Sequence, residues 1–227
     1  MIHPQTYVRY VNDQIGCGVC ATAFIPKGTL VYVRDPLDTE ISPEQFAAMD
    51  QYYRQVAERY SFIDEKGYRV VSWDSAKYVN HSCNFNTISA GYGFEIAVRD
   101  IAVGEEMTDE YGLLNLDHDM FCCCGSASCR KIVRADDVDR YWRRWDRTVV
   151  DALKYVRGVD QPLWPYMDAD TKNSLCDYLQ GTARYVSVRN LRAAWPSPKR
   201  AAARRLVPAA TVVAQRVAIG EMRAAAV

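Results

Sequence analysis

The sequence predicts a mainly β protein of α+β type, with short strands up to about residue 133 followed by a C-terminal helical extension. Three observations predict this. Short alternating apolar runs, each closed by Gly, Pro, Asn or Asp, recur between Tyr7 and Tyr111. From Ala135 onward the apolar period changes from two to three or four. The chain has 227 residues, 49% of them hydrophobic and 25% charged, which is enough to bury a core for one domain plus an appendage.

Taken in order, Tyr7 to Tyr10 alternates as a strand does, and Asn12-Asp13 ends it. Ile15-Gly16-Cys17-Gly18-Val19-Cys20-Ala21 has two glycines one residue apart. This pattern fits either a tight strand-to-strand turn or a close approach of ligand to backbone. Ile25-Pro26-Lys27-Gly28 is a turn, and Leu30 to Val33 resumes a strand. Ser42 as N-cap, Pro43 at the first helical position and Gln45 completing a capping box predict a helix. Its apolar face runs through Phe46, Met49, Tyr53, Val56, Ala57 and Tyr60. Strands are expected at Tyr68–Trp73 and Glu95–Val98, and Gly104-Glu105-Glu106-Met107-Thr108-Asp109-Glu110-Tyr111-Gly112 reads as an acidic turn entering another. Helical spacing then runs from Ala135 to Arg157, stopped by Gly158. A second helix begins at Asp170 or Thr171 and closes at Gly181.

Between the strands lies a polar run, Lys77-Tyr78-Val79-Asn80-His81-Ser82-Cys83-Asn84-Phe85-Asn86. Buried polar groups need partners, so such a run reads as a site rather than as core. Eight cysteines in a reducing compartment point to metal ligands where they cluster. In an extended segment Cys122 and Cys124 point one way and Cys123 the other, while Gly125-Ser126 turns the chain and returns Cys129. The resulting C-x-C-x4-C supplies three thiolates where a structural zinc takes four ligands, and Cys83 is the nearest candidate in kind for the fourth. Cys17, Cys20 and Cys176 read as small apolar residues.

The formal net charge of zero conceals an asymmetry. Residues 182–227 carry nine basic side chains against Glu221 alone, or +8, so residues 1–181 carry −8. Such a tail suits either contact with nucleic acid or packing against an acidic body. No basic-then-apolar leader opens the chain and no apolar run is long enough to span a bilayer. The expectation is a cytoplasmic protein with no membrane partner, with nuclear or nucleoid association as the alternative.

Four motifs in this order resemble the SET domain with its zinc-binding post-SET segment. They are Gly16-Cys17-Gly18-Val19-Cys20-Ala21 with Ile25-Pro26-Lys27-Gly28, Tyr78 to Asn86, Gly104 to Tyr111, and the C-x-C-x4-C run. The resemblance covers roughly residues 6–133, and no cysteine-rich pre-SET segment precedes residue 6. It divides the chain into a SET domain (6–116), a post-SET segment (117–133), a helical extension (134–181) and the basic tail (182–227).

The resemblance implies a SET fold, a β-clip of short antiparallel sheets with a pseudoknot, and a protein-lysine methyltransferase using S-adenosylmethionine. It implies that Ile15, Gly16, Cys17 and Gly18 lie against the cofactor through backbone groups, that Asn80 and His81 hold its two ends, and that Tyr111 is catalytic where cofactor and lysine meet. Cys83, Cys122, Cys124 and Cys129 would bind zinc. Tyr32, Tyr78 and Asp109 would border the lysine channel. Asp109 stands where the family usually has Phe or Tyr, and a carboxylate facing the amine would favour its charged form. Asp109 is therefore expected to turn to solvent or to pair with a basic group of the C-terminal segment. Lys77, Phe85 and Glu110 stand where Arg, Pro and Asp are usual. Two other readings use the same residues: a catalytically silent SET module that binds cofactor or a partner, and a zinc-stabilised protein that binds nucleic acid through its tail.

Overall fold

The computed structural model describes residues 1–193, so Lys199, Arg200, Arg204, Arg205, Arg216 and Arg223 of the basic tail lie outside the described residues. The strands are β1 (Thr6–Asn12), β2 (Gly16–Ala21), β3 (Leu30–Val33), β4 (Thr39–Ile41), β5 (Ser61–Ile63), β6 (Arg69–Val71), β7 (Asn80–His81), β8 (Thr87–Ser89), β9 (Phe94–Ala97), β10 (Glu106–Asp109), β11 (Met120–Phe121) and β12 (Ile132–Val133). The helices are α1 (Pro43–Ala48), α2 (Gln51–Tyr60), α3 (Asp137–Leu153) and α4 (Ala169–Gln180). No helix among the described residues is long and apolar enough to cross a membrane.

The strands form small sheets in the orders β1-β2-β10-β7, β3-β9-β8, β4-β6-β5 and β11-β12. All pairings are antiparallel except β10 with β7. Asn12 ends β1 because its side-chain oxygen accepts the backbone N–H groups of Gln14 and Ile15, and Gly16 at φ 87° then reverses the chain into β2.

The single helix expected after Ser42 is two. Ser42 and Gln45 do form the capping box of α1, but Met49 is extended and Asp50 caps a new helix by accepting the N–H of Tyr53 at 3.0 Å. A second cap inside one apolar stripe breaks the helix without disturbing its periodicity. Of the C-terminal helices, α3 ends at Leu153, short of the expected Arg157, with a separate 3-10 turn at Val156–Gly158, and α4 starts at Ala169 because Asp168 caps it by accepting the Thr171 N–H; Gly181 closes α4 in the left-handed conformation, as expected.

The extension is part of the main core. Trp145, Val149 and Leu153 of α3 and Leu175 of α4 are buried against Leu30, Ile88, Phe94 and Ile96 of the β3-β9-β8 sheet. Each such side chain contributes about 1.5–3 kcal/mol on burial. Val188, beyond α4, is buried in the same cluster, so the first part of the tail also packs on the body. A Cβ at Gly91 would lie 2.4 Å from Val186 O and 2.5 Å from Ser187 O, so only glycine lets this returning segment lie flat on the sheet. A second cluster, Ile2, Val19, Ile25, Val31, Ile101 and Met107, fills the other side.

Candidate active site and cysteine cluster

The polar run after Lys77 is held by β10. Asn80 and His81 pair in parallel with Thr108 and Asp109, and the Ser82 N–H donates to Asp109 O at 3.3 Å. Asn86, fully buried, donates to Glu105 and to Glu106 O and accepts the Thr108 N–H at 2.8 Å. Thus the Asn86 amide, which could not sit in an apolar core, is satisfied by the β10 backbone and the Glu105 carboxylate.

This lacing brings Asn80 against the glycine turn. Asn80 Nδ2 donates to Cys17 O at 3.1 Å and to Glu106 Oε1 at 2.7 Å. Both neighbours are acceptors, so the amide nitrogen must face them and the amide oxygen is left as an acceptor. A Cβ at Gly18 would lie 2.3 Å from Glu106 Oε1 and 2.9 Å from Asn80 Nδ2, so the backbone there is bare by necessity. His81 Nδ1 lies 2.9 Å from Asp109 O, and the two rings of His81 and Tyr111 are 5.5 Å apart. Burial and then the Arg130 charge push the His81 imidazole down to about 4, so it is neutral near pH 7.

Tyr111 follows β10, and its hydroxyl donates to Val79 O at 2.6 Å. Burial first, and then the charges of Asp109, Glu95 and Glu106, raise its pKa, so it remains a phenol. It also lines a cavity of about 900 Å³ together with Tyr32, Ser72, Glu95 and Asp109. Tyr111 is therefore shared by the Asn80–His81 segment and the cavity, as is Asp109. Ile15, Gly16, Cys17, Gly18, Asn80 and His81 gather outside the cavity lining.

One expectation needs correction. Asp109 neither faces solvent nor pairs with a basic side chain: it is 2% exposed, lines the cavity, and its Oδ1 has no hydrogen-bond partner. The parallel pairing of β10 with β7 fixes its backbone, and Asp109 O is occupied by His81 and Ser82. Tyr78 does not line the cavity; it packs on the second core cluster, with its ring edge-on to Tyr60 at 5.7 Å. The sequence reading missed Glu95. Register puts it directly across from Tyr32 between β3 and β9, and its one local signal was a lone acid between Phe94 and Ile96.

The four sulfur atoms of Cys83, Cys122, Cys124 and Cys129 all lie within 4.8 Å of one another, and Cys83 Sγ and Cys122 Sγ are 3.8 Å apart. Four sulfurs around one zinc at about 2.3 Å would be separated by about 3.8 Å, so the set fits a tetrahedral ion. Burial pushes the Cys124 thiol up, but hydrogen bonds from the Cys83 and Ser126 backbone and from the neighbouring thiols outweigh it and bring it down to about 6. Cys123 is exposed.

Arg130 ties this cluster to the rest. Its N–H donates to Cys83 Sγ at 3.3 Å, and its guanidinium donates to Glu110 Oε1 at 2.5 Å and to Asp137 Oδ2 at 3.0 Å. The guanidinium also lies over the rings of Tyr141, at 5.4 Å, and Trp145, at 6.0 Å.

Comparison with known proteins agrees with this geometry. Residues 16–112 match the SET domain family. The histone-lysine N-methyltransferase ASHH3 of Arabidopsis thaliana is 27% identical over 136 residues, 53% of this chain and 36% of that protein. The histone-lysine N-methyltransferase trr of Drosophila melanogaster is 31% identical over 132 residues, 51% of this chain and 5% of that protein. The histone-lysine N-methyltransferase set9 of Aspergillus fumigatus is 27% identical over 134 residues, 56% of this chain and 20% of that protein. The chain thus spans little more than a third of the length of these relatives, or less. The glycine turn, the Asn80–His81 segment laced to β10 and Tyr111 at the cavity all fall inside the span, residues 16–112, that matches the SET domain family.

Proposed function

We propose that this chain is an S-adenosylmethionine-dependent methyltransferase that methylates the side-chain amine of a protein lysine, with one structural zinc held by Cys83, Cys122, Cys124 and Cys129. The observation that carries the reading is the position of Tyr111, in contact with His81 and lining the cavity at once. Similarity to histone-lysine N-methyltransferases supports a protein substrate.

The residues present fit the cofactor. The Asn80 amide oxygen is free to accept from an ammonium group, and at Gly18 the Glu106 carboxylate and the Asn80 amide pack where a Cβ would stand, which holds that amide against the glycine turn. When bound, the cofactor supplies a methyl group on a cationic sulfur. The chain's own residues bind, orient and desolvate. Methyl transfer is an in-line displacement, so holding amine and methyl at about 3–3.5 Å in a site shielded from water is the main catalytic task, and no nucleophilic side chain is needed. The Tyr111 hydroxyl, anchored on Val79 O, fixes the carbonyl and the phenol edge at the point where the amine arrives.

Isothermal calorimetry of the purified chain with S-adenosylmethionine tests cofactor binding, and radiolabelled cofactor with purified core histones and whole-cell lysate tests transfer. Binding with incorporation into protein lysine supports the reading. Binding without incorporation favours a catalytically silent module, for which the acidic cavity is the specific argument. Absence of binding refutes both.

A further inference from the structure

A methyltransferase for amines faces a proton problem: a lysine has an unperturbed pKa of about 10.4, and only its neutral form carries the electron pair that attacks. The cavity of this chain holds two carboxylates where that amine would arrive. Glu95 lies opposite Tyr32 across the β3–β9 pair, Asp109 ends β10, and both line the cavity with Tyr111. Asp109 is 2% exposed and its Oδ1 has no partner, which marks a buried acceptor aimed at an absent donor.

We infer that Glu95 and Asp109 form a cation-accepting pair that receives the substrate ammonium, and that Glu95 is a catalytic base that takes its proton. This rests on the methyltransferase reading above for the second step only. The groups facing the pair are consistent with it. Glu110 repels Asp109 but is itself neutralised by Arg130. The Met1 ammonium acts on Glu95 from a distance while pairing with Asp35 at 2.7 Å. Of the basic residues of the cavity wall, Arg69 pairs with Asp117, Lys77 Nζ donates to Trp73 O at 3.0 Å, Arg59 lies over the Tyr60 ring at 5.2 Å and His118 is exposed, and the charges that act most on Glu95 and Asp109 come from none of them. Tyr32 donates its hydroxyl to Asp38 at 2.8 Å, and Tyr111 donates to Val79 O.

Two carboxylates that line one cavity and act on each other's charge cannot both ionise cheaply. Burial pushes Glu95 up to about 7, and burial with the Glu95 charge holds Asp109 well above the usual carboxylate range. An ordinary glutamate, at about 4.3, is roughly six units too weak to deprotonate a lysine ammonium at about 10.4. Glu95 closes nearly half of that gap, and removal of the amine from water closes more. In the step, the N–H bond of the ammonium breaks, the proton goes to a Glu95 carboxylate oxygen, and the electron pair stays on nitrogen. That pair forms the N–CH3 bond as the cationic sulfur keeps the electrons of the S–CH3 bond. The product carries the positive charge as a methylammonium, and Glu95 returns its proton to water at the cavity mouth.

The test uses the full chain, with Nα-acetyl-lysine methylamide as the probe. Calorimetry near pH 7 in two buffers of different ionisation heat should show probe binding at millimolar concentration accompanied by proton release, because the cation ionises the pair. E95Q and D109N should each weaken this binding by about tenfold and abolish the proton release, with thermal unfolding run alongside to confirm that each variant is folded. With core histones and labelled cofactor, the wild-type rate should level off above about pH 7, whereas E95Q should be slow there and recover only toward pH 10, where the amine loses its proton unaided. E95D should restore part of the neutral-pH rate. Wild type that fails to bind the probe, or E95Q and D109N that bind as wild type does and keep its pH profile, overturns the inference. Probe binding with proton release in a chain that transfers no label from the cofactor refutes the methyltransferase reading and leaves the cation pair standing.

Discussion

Arg130→Ala removes one side chain on which three parts of the chain depend. Its guanidinium is the partner of Glu110, 2% exposed, and of Asp137, fully buried, and it packs over the rings of Tyr141 and Trp145. Burial already raises the pKa of both carboxylates despite the Arg130 charge, so without it they must either stay charged and unpaired or take up protons. Breaking a buried pair in this way costs about 3–5 kcal/mol, and the lost packing of the arginine stem adds to it. For a chain of this size each kcal/mol lowers Tm by about 2–4 °C, so a drop of roughly 10 °C is expected. Arg130→Lys keeps the charge but not the two-pronged geometry and should fall between the two. Guanidinium denaturation monitored by tryptophan fluorescence reads the change, since Trp145 sits under the guanidinium. Because the Arg130 N–H also touches Cys83, metal content is measured in parallel. A loss below about 1 kcal/mol in Arg130→Ala at unchanged metal content would show that Glu110 and Asp137 are held by something else and refute the reasoning.

Elemental analysis should find one zinc per chain; Cys83→Ser and Cys124→Ser should lower metal content and stability alike, while the exposed Cys123→Ser should change neither. Tyr111→Phe should reduce methyl transfer by at least about tenfold while cofactor affinity stays within a few-fold, because the hydroxyl acts where the amine reacts. Gly91→Ala should cost about 1–3 kcal/mol in thermal unfolding, since its Cβ would overlap the backbone of Val186 and Ser187. Between its ordinary 4.5 and about 7, Glu95 binds more protons in the native chain than in the unfolded one. Stability should therefore fall as pH rises through that window, by up to about 3 kcal/mol, and Glu95→Gln should remove that slope; equal slopes in the two chains would refute it.

The local chemistry of the chain was legible without its fold. Capping residues at Ser42, the left-handed stop at Gly181 and the helical period after Ala135 are short-range features, governed by the backbone hydrogen bonds of neighbouring residues. The cysteine spacing from Cys122 to Cys129 was also readable, because the alternation of an extended segment dictates which thiols share a side. The Asp50 cap that splits the predicted helix was visible in principle, but the apolar stripe runs through the break unchanged.

What the tertiary structure alone decided depends on register between distant strands. That Glu95 stands across from Tyr32 follows from the β3–β9 pairing, and no spacing along the chain relates residues 32, 95 and 109 to one cavity. The same holds for Asp109, whose direction is fixed by pairing β10 with β7, so that a carboxylate that local reasoning sent to solvent is held inside. Arg130 reads in sequence as one more basic residue beside a metal motif, and only docking of α3 places Asp137 and Trp145 around it. A side chain's own chemistry states what it can do; the electrostatic cost or benefit of doing it depends on which groups long-range packing sets beside it, and on how much water is left there.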